Sequence, residues 1–307
     1  MVKAIINSFL ISILLISCTF ANENKFQNFI WSSAIINGRQ YEKAAILVPI
    51  EILGIKRKLY AQLDTGADFS CLYGNILRKL GLEVDSLSEP FIKFKWNNIE
   101  DKNTSFDSTD YYKWDIDYDI DLNSDSTTII KVGTIGLNLI IDKILIMDFP
   151  KSKFTVLSDT SEIQSLLNDN VYYADATIEY NKFYVDVCLG EDTIKTVRYD
   201  SGSSMFMLIL PLDLWKNATG LSGDEEIIER DSVPSWGKYV QIKTAPAHND
   251  LLFGPIHVAK PKITCVDWED SYSRQMKLMG NAPFYDKYVV VVDCIRQKFG
   301  ICRSKLY

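Results

Sequence analysis

Hydrophobic positions along this chain come mostly in short runs. Ala45-Ile46-Leu47-Val48, Phe91-Ile92-Lys93-Phe94, Thr128-Ile129-Ile130-Lys131-Val132 and Tyr288 to Val292 are rich in β-branched and aromatic residues. Gly, Asn, Asp and Pro separate them, which is the punctuation of strands and turns. Helical signals are few and short: Gly74 to Leu80, Ser161 to Leu167, and Leu210 to Lys216. The pattern predicts an all-β chain with a few short helices. Asp115, Asp117, Asp119 and Asp121 alternate with Ile116, Tyr118, Ile120 and Leu122, the period of a strand with one acidic face. A calcium loop of EF type needs Gly at its sixth position and Glu at its twelfth. Counted from Asp115 those positions hold Ile120 and Ser126, so the motif fails. Tyr111, Tyr112 and Trp114 read as hairpin packing rather than as a platform for a sugar.

The same unit occurs twice. Gly54 precedes Asp64 by ten residues, and Gly190 precedes Asp200 by ten. Each interval reads as strand, turn, strand. Each Asp is followed by a small hydroxyl residue and Gly, as Asp64-Thr65-Gly66 and Asp200-Ser201-Gly202, and then by an apolar stretch and a short helix. Further on, Ile135-Gly136 precedes a strand ending at Asp148, with Phe154 six residues beyond it. Met279-Gly280 precedes a strand ending at Asp293, with Phe299 six beyond. One Asp-Thr-Gly alone is a weak signal, since a plain β-turn explains it. Two copies with matching downstream elements are specific, and they predict two lobes of similar design meeting near residues 158–170.

On these motifs the sequence resembles the aspartic peptidases, both the two-lobed pepsin type and its half-sized retroviral relatives, over roughly residues 41–307. The resemblance implies a bilobal fold with an N-terminal lobe at 41–160 and a C-terminal lobe at 161–307. It also implies an endopeptidase that takes a peptide or protein substrate in the cleft between the lobes and needs no cofactor or metal. Asp64 and Asp200 would be the catalytic pair. Two carboxyls brought within about 3 Å cannot both ionise, so they share a proton. One then activates water while the other donates to the scissile carbonyl. Thr65 and Ser201 would hydrogen-bond across to the opposite loop, and Gly66 and Gly202 would let the backbones approach. Ile135-Gly136 and Met279-Gly280 would pack beneath the two active loops. The first copy, Asp64-Thr65-Gly66-Ala67-Asp68, is closer to the retroviral form, and the second, with Ser203 and Ser204, to the pepsin form. Ser203 has a hydroxyl to support Asp200, and Ala67 has none for Asp64. The flap sequence of the pepsin type has no counterpart. By position, Lys95 to Phe106 with Trp96 is the candidate covering hairpin, and a surface Trp in an edge hairpin is the competing reading. The missing flap keeps a second function open: a non-catalytic peptide- or protein-binding surface lipoprotein on the same scaffold.

The first residues read as an export address. Lys3 precedes an apolar run from Ala4 to Ser17, too short to span a bilayer comfortably. The run ends Leu15-Ile16-Ser17-Cys18, which resembles the bacterial lipobox, with Cys18 as the lipid attachment site. Cleavage after Ala21 and a retained apolar helix are the alternatives. Residues 1–21 are thus expected to be a signal peptide and 22–40 a tether or lead-in with one strand. The protein would be a lipoprotein of the cell envelope, or else periplasmic or secreted, meeting the membrane only through an N-terminal lipid.

Composition narrows the chemistry further. Hydrophobic residues at 47% and charged residues at 24% exclude wholesale disorder. A net charge of −7 argues against nucleic acid, which needs clustered Lys and Arg. His248 and His257 are the two histidines, so a multi-histidine metal site is nearly excluded; both fall in a Pro-bearing stretch suited to loop or packing roles. Beyond Cys18 there are five cysteines, an odd number without zinc spacing, so at least one thiol stays unbridged. Cys71 and Cys188 read as buried small residues, and one bridge among Cys265, Cys294 and Cys302 is left open. Asn103 and Asn217 match glycan acceptors that mean little in a bacterial lipoprotein. No P-loop, GxSxG or HExxH occurs.

Overall fold

Antiparallel pairing of strands that are distant in sequence organises this protein. The computed structural model describes residues 25–82, 92–97, 99–101, 129–167, 170–235 and 238–305. Cys18, Ala21, Asn103, Tyr111 to Trp114 and the acidic run from Asp115 to Asp121 lie outside the described residues. Within them the chain is mostly β, with three short α-helices at Gly74–Lys79, Ser161–Leu167 and Leu212–Thr219. No described helix is long and apolar enough to cross a membrane.

In the N-terminal part, Ile30–Ile36 pairs with the long strand Arg39–Ile52, which turns through Gly54 and pairs with Leu59–Leu63. Residues 27–36, expected as a lead-in with one strand, form two, because Gln27–Asn28 also pairs with Lys153–Leu157. In the C-terminal part, Lys182–Leu189 turns through Gly190 and pairs with Asp192–Tyr199. Both turn glycines have positive φ, 90° at Gly54 and 64° at Gly190, a backbone region that costs glycine nothing. Both units are thus antiparallel strand pairs turned through a glycine, with a longer connection in the first (53–58) than in the second (190–191).

The two halves join in one sheet. Ile144–Asp148 and Lys153–Leu157 form a hairpin in the first half, and Tyr288–Asp293 and Lys298–Arg303 form its counterpart in the second. The two hairpins lie side by side, with Ile144 opposite Asp293, Ile146 opposite Val291, and Asp148 opposite Val289. Asp148 and Asp293 are the equivalent strand ends, so this register places a local two-fold axis through the Ile146–Val291 pair. Tyr172–Glu179 adds to the far side through Lys298–Arg303. Phe154 and Phe299, also equivalent, are fully buried. One hydrophobic cluster runs from Ile46 and Val48 in the first half to Val290 and Phe299 in the second. The result is a two-lobed all-β fold with a shared central sheet.

A third sheet, Glu229–Ser235, Lys238–Pro246 and Lys262–Val266, belongs to the second lobe. The N-terminal hairpin reaches across to it. Asn37 hydrogen-bonds Asp231, Arg39 meets Glu229 at 3.5 Å, and Ile36 joins Val233, Ile242 and Val266 in a second apolar cluster. Cys188, Cys265 and Cys294 are free thiols, so no bridge forms among the last three cysteines. Burial pushes the Cys265 thiol up to about 11 and that of Cys294 up to about 12, which leaves both unreactive near neutrality.

Candidate active site

Both Asp-hydroxyl-Gly sequences sit where a strand leaves its sheet, and both are tied down in the same way. Leu59–Leu63 runs parallel to Ile130–Ile135, with Leu63 opposite Ile135, and the Asp64 N–H donates to the Ile135 carbonyl at 2.9 Å. Asp192–Tyr199 runs parallel to Leu278–Met279, with Tyr199 opposite Met279, and the Asp200 N–H donates to the Met279 carbonyl at 2.9 Å. The apolar-Gly elements thus lie directly beside the two loops. A Cβ on Gly136 would fall 2.6 Å from the Phe69 carbonyl carbon, and one on Gly280 would fall 2.1 Å from the Ser203 oxygen. Only glycine fits there.

The loops hold each other by four reciprocal hydrogen bonds. The Thr65 N–H donates to Ser201 Oγ at 2.9 Å, and the Ser201 N–H to Thr65 Oγ1 at 3.0 Å. Thr65 Oγ1 donates to the Tyr199 carbonyl at 3.1 Å, and Ser201 Oγ to the Leu63 carbonyl at 2.9 Å. Both side chains are fully buried, where an unmade hydrogen bond would be costly. The cross-links therefore fix the loop-to-loop distance.

That distance sets the geometry of the carboxyls. Asp64 Oδ1 accepts from the N–H groups of Gly66 at 2.9 Å and Ala67 at 3.0 Å. Asp200 Oδ1 accepts from Gly202 at 2.9 Å and Ser203 at 3.1 Å. The two carboxyls are within hydrogen-bonding reach of one another. Their environments differ at one atom: Ser203 Oγ donates to Asp200 Oδ2 at 2.8 Å, and Ala67 offers Asp64 nothing equivalent. Burial, then the charge of Asp200 and a hydrogen bond to it, hold the Asp64 carboxyl well above the usual carboxylate range. Arg198 and the Gly66 N–H oppose this without reversing it. The balance of these effects favours the protonated form of Asp64.

A further set of contacts stiffens each loop. Ser70 Oγ accepts from the Gly136 N–H and donates to Asn138 Oδ1, both at 2.8 Å. In the second lobe, Asn281 Nδ2 donates to Ser204 Oγ at 2.7 Å and to the Ser201 carbonyl at 3.2 Å, while the Tyr199 hydroxyl donates to Asn281 Oδ1 at 2.6 Å. Sequence reasoning missed Ser70, Asn138, Tyr199, Ser204 and Asn281. The two asparagines had a signal, since each follows its apolar-Gly element by one or two residues.

Trp96 is buried rather than laid over the cleft, and residues 98 and 102–106 of the expected covering hairpin lie outside the described residues. Trp96 lies on strand Phe94–Trp96, is 1% exposed, and stacks on Phe154 with centroids 5.5 Å apart and planes at 15°. Both readings at the surface are corrected: Phe94 and Trp96 alternate with exposed Lys95, so the aromatic face turns into the core. Trp96→Ala is expected to cost about 3–5 kcal/mol in stability. Urea unfolding would show it as a lower midpoint, with substrate selectivity unchanged in the folded fraction.

The dyad opens into a cleft of about 720 Å³ between the lobes. Gln62, Tyr73 and Lys131 come from the first lobe and Arg198, Ile209 and Met276 from the second. One wall is the hairpin of Glu229–Ser235 and Lys238–Pro246, which presents Val233, Pro234, Tyr239 and Val240. His248 and His257 do not line the cleft. Among the described residues, no group of three His, Cys, Asp or Glu side chains is placed to hold a metal ion.

No family model and no curated protein matches this sequence. Among solved structures, the aspartic proteinase from Irpex lacteus is similar at 10% identity and a TM-score of 0.44, over 85% of this chain and 95% of that one.

Proposed function

We propose that this protein is an aspartic-type endopeptidase that hydrolyses peptide bonds in the cleft between its lobes. The observation that supports this best is the pair Asp64 and Asp200: two carboxyls within hydrogen-bonding reach, held by symmetric loops, with inequivalent surroundings. A water between them loses its proton to Asp200 as it attacks the scissile carbonyl carbon. Asp64 gives its proton to the carbonyl oxygen, which leaves a neutral tetrahedral diol. Asp200 then protonates the departing amine and Asp64 takes back a hydroxyl proton as the C–N bond breaks, so the dyad returns to its starting state. Neither histidine is needed.

A mixed peptide library offered between about pH 3 and 7 tests the reading. Cleavage with a bell-shaped profile, insensitive to serine, thiol and metal reagents, is the expected result. A folded protein silent across that range would leave the second reading, a peptide-binding protein on the same scaffold; the burial of Trp96 away from the cleft is the observation that favours it.

Two narrower expectations follow. Ser203 Oγ donates to Asp200 Oδ2, a hydrogen bond that favours ionisation of the pair as a whole, so its loss in Ser203→Ala should move that ionisation to higher pH. The acidic limb of the profile should move up by about one pH unit. Export and anchoring through Cys18 belong to the same proposal. Cys18→Ser should leave the membrane fraction and incorporate no labelled fatty acid, whereas unchanged membrane association would point to a retained apolar helix.

A further inference from the structure

The dyad is nearly symmetric, but its flanks are not. Gln62 and Arg198 occupy equivalent places, each two residues before its aspartate on the strand that delivers it. Residues two apart on a strand share a face, and both side chains line the cleft. At these two equivalent positions one side chain is neutral and the other carries a full positive charge, while Lys131 of the first lobe also lines the cleft and lies over the Tyr73 ring.

Arg198 acts on Asp64 at a distance, but no contact with a described residue neutralises its charge. Among the described residues no carboxylate forms an ion pair with it, and its Nε–H is buried without a hydrogen-bond acceptor. Asp68, on the opposing active loop, is taken by Lys182 at 3.0 Å. Apart from the dyad, no described residue lining the cleft is acidic, although the protein as a whole carries −7. The phenol of Tyr184, opposite Arg198 on the neighbouring strand, lies close enough to feel its charge. A guanidinium with an unsatisfied buried N–H, held at a cleft wall, suits a planar carboxylate that offers two acceptor oxygens.

We infer that Arg198 is a specificity-determining residue, selecting substrates with an aspartate or glutamate flanking the scissile bond on the side of the cleft formed by the second lobe. The inference rests on the dyad reading for the position of that bond. A neutral glutamine can offer the buried Nε–H one amide oxygen but neither the charge nor the second acceptor of a carboxylate, so the glutamate makes the stronger, bidentate pair.

Two pairs of peptides provide the test, each pair differing only by Glu or Gln on one side of the central bond, and each made in a cleavable form and with that bond reduced to an uncleavable methylene-amine. Binding of the reduced forms is measured by calorimetry on the wild type, Arg198→Gln and Arg198→Lys. For one of the two pairs, the Glu peptide should bind the wild type about tenfold more tightly or better. Arg198→Gln should remove the difference, and Arg198→Lys should restore part of it. Equal affinities for Glu and Gln in both pairs, no binding at all, or a preference that survives Arg198→Gln would overturn the inference. A residue that only tuned the dyad would shift the pH profile for both peptides alike and leave their ratio unmoved. Cleavage of the unreduced peptides is scored separately. A Glu preference in binding without cleavage would sustain the role of Arg198 and sink the peptidase reading, and cleavage without preference would do the reverse.

Discussion

Asp64→Asn and Asp200→Asn should each reduce peptide cleavage by at least about 10³-fold while leaving the fold in place. The amide keeps the shape of the carboxyl and can still accept from the Gly66 and Ala67 N–H groups, or from those of Gly202 and Ser203. What it cannot do is cycle a proton. The two variants should differ in stability. The folded-state pKa of Asp64 is raised by burial and by the charge of Asp200, so its contribution is fully present below the unfolded value, about 4, and is lost as pH rises toward the folded one. Relative to Asp64→Asn, the wild type should therefore lose stability from about pH 4 upward. Thermal unfolding at pH 3 and pH 7 would read this as similar melting temperatures at the lower pH and a higher one for the variant at neutrality. Cleavage surviving either substitution would sink the dyad assignment.

The second large effect should come from adding a single carbon. A Cβ at Gly66 would lie 2.3 Å from Asp200 Cγ, and one at Gly202 would lie 2.4 Å from Asp64 Cγ. Neither carboxyl can swing aside without giving up the N–H groups that hold it. Gly66→Ala and Gly202→Ala should accordingly push the loops apart, break the direct contact between the carboxyls and strain the cross-links through Thr65 and Ser201. Activity should fall at least about 100-fold, as expected when reacting groups are displaced by an ångström. Circular dichroism should stay native, because the clash is confined to the site. Near-normal turnover in either variant would mean that close contact of the carboxyls is not what the chemistry requires.

What the sequence made legible was what is local and repeated. The two hairpins ending at Asp64 and Asp200, the hydroxyl and glycine after each, and the apolar-Gly partners follow from short motifs at matching offsets. The two-fold arrangement turns those motifs into contacts. Pairing between distant strands was not legible. Trp96 looked like a surface residue because its partner, Phe154, lies 58 residues away on another strand; the alternation of Phe94, Lys95 and Trp96 was the available clue. The hairpin of Glu229–Ser235 and Lys238–Pro246 has no motif, and its place as a cleft wall comes from pairing with Lys262–Val266. Arg198 reads as an ordinary charged position on a strand until the fold places it on the wall of the cleft. Tyr199 and Asn281, 82 residues apart, illustrate the same limit.

The central sheet also bears on the order in which the protein can be completed. Ile144–Asp148 is buried along its whole length, and its neighbour on one side is Tyr288–Asp293, which begins 140 residues after Asp148. While a ribosome is still making the second half, that strand has one edge unpaired and a run of Ile, Leu and Met to hide. An open apolar edge of this kind attracts other strands, and contacts this far apart in sequence form slowly. The first half, released alone, would present the same two-fold edge to another copy of itself. Nascent chains would then need either rapid elongation or a holding partner until residues 288–303 arrive, and truncation before that point should give self-association rather than a soluble single lobe.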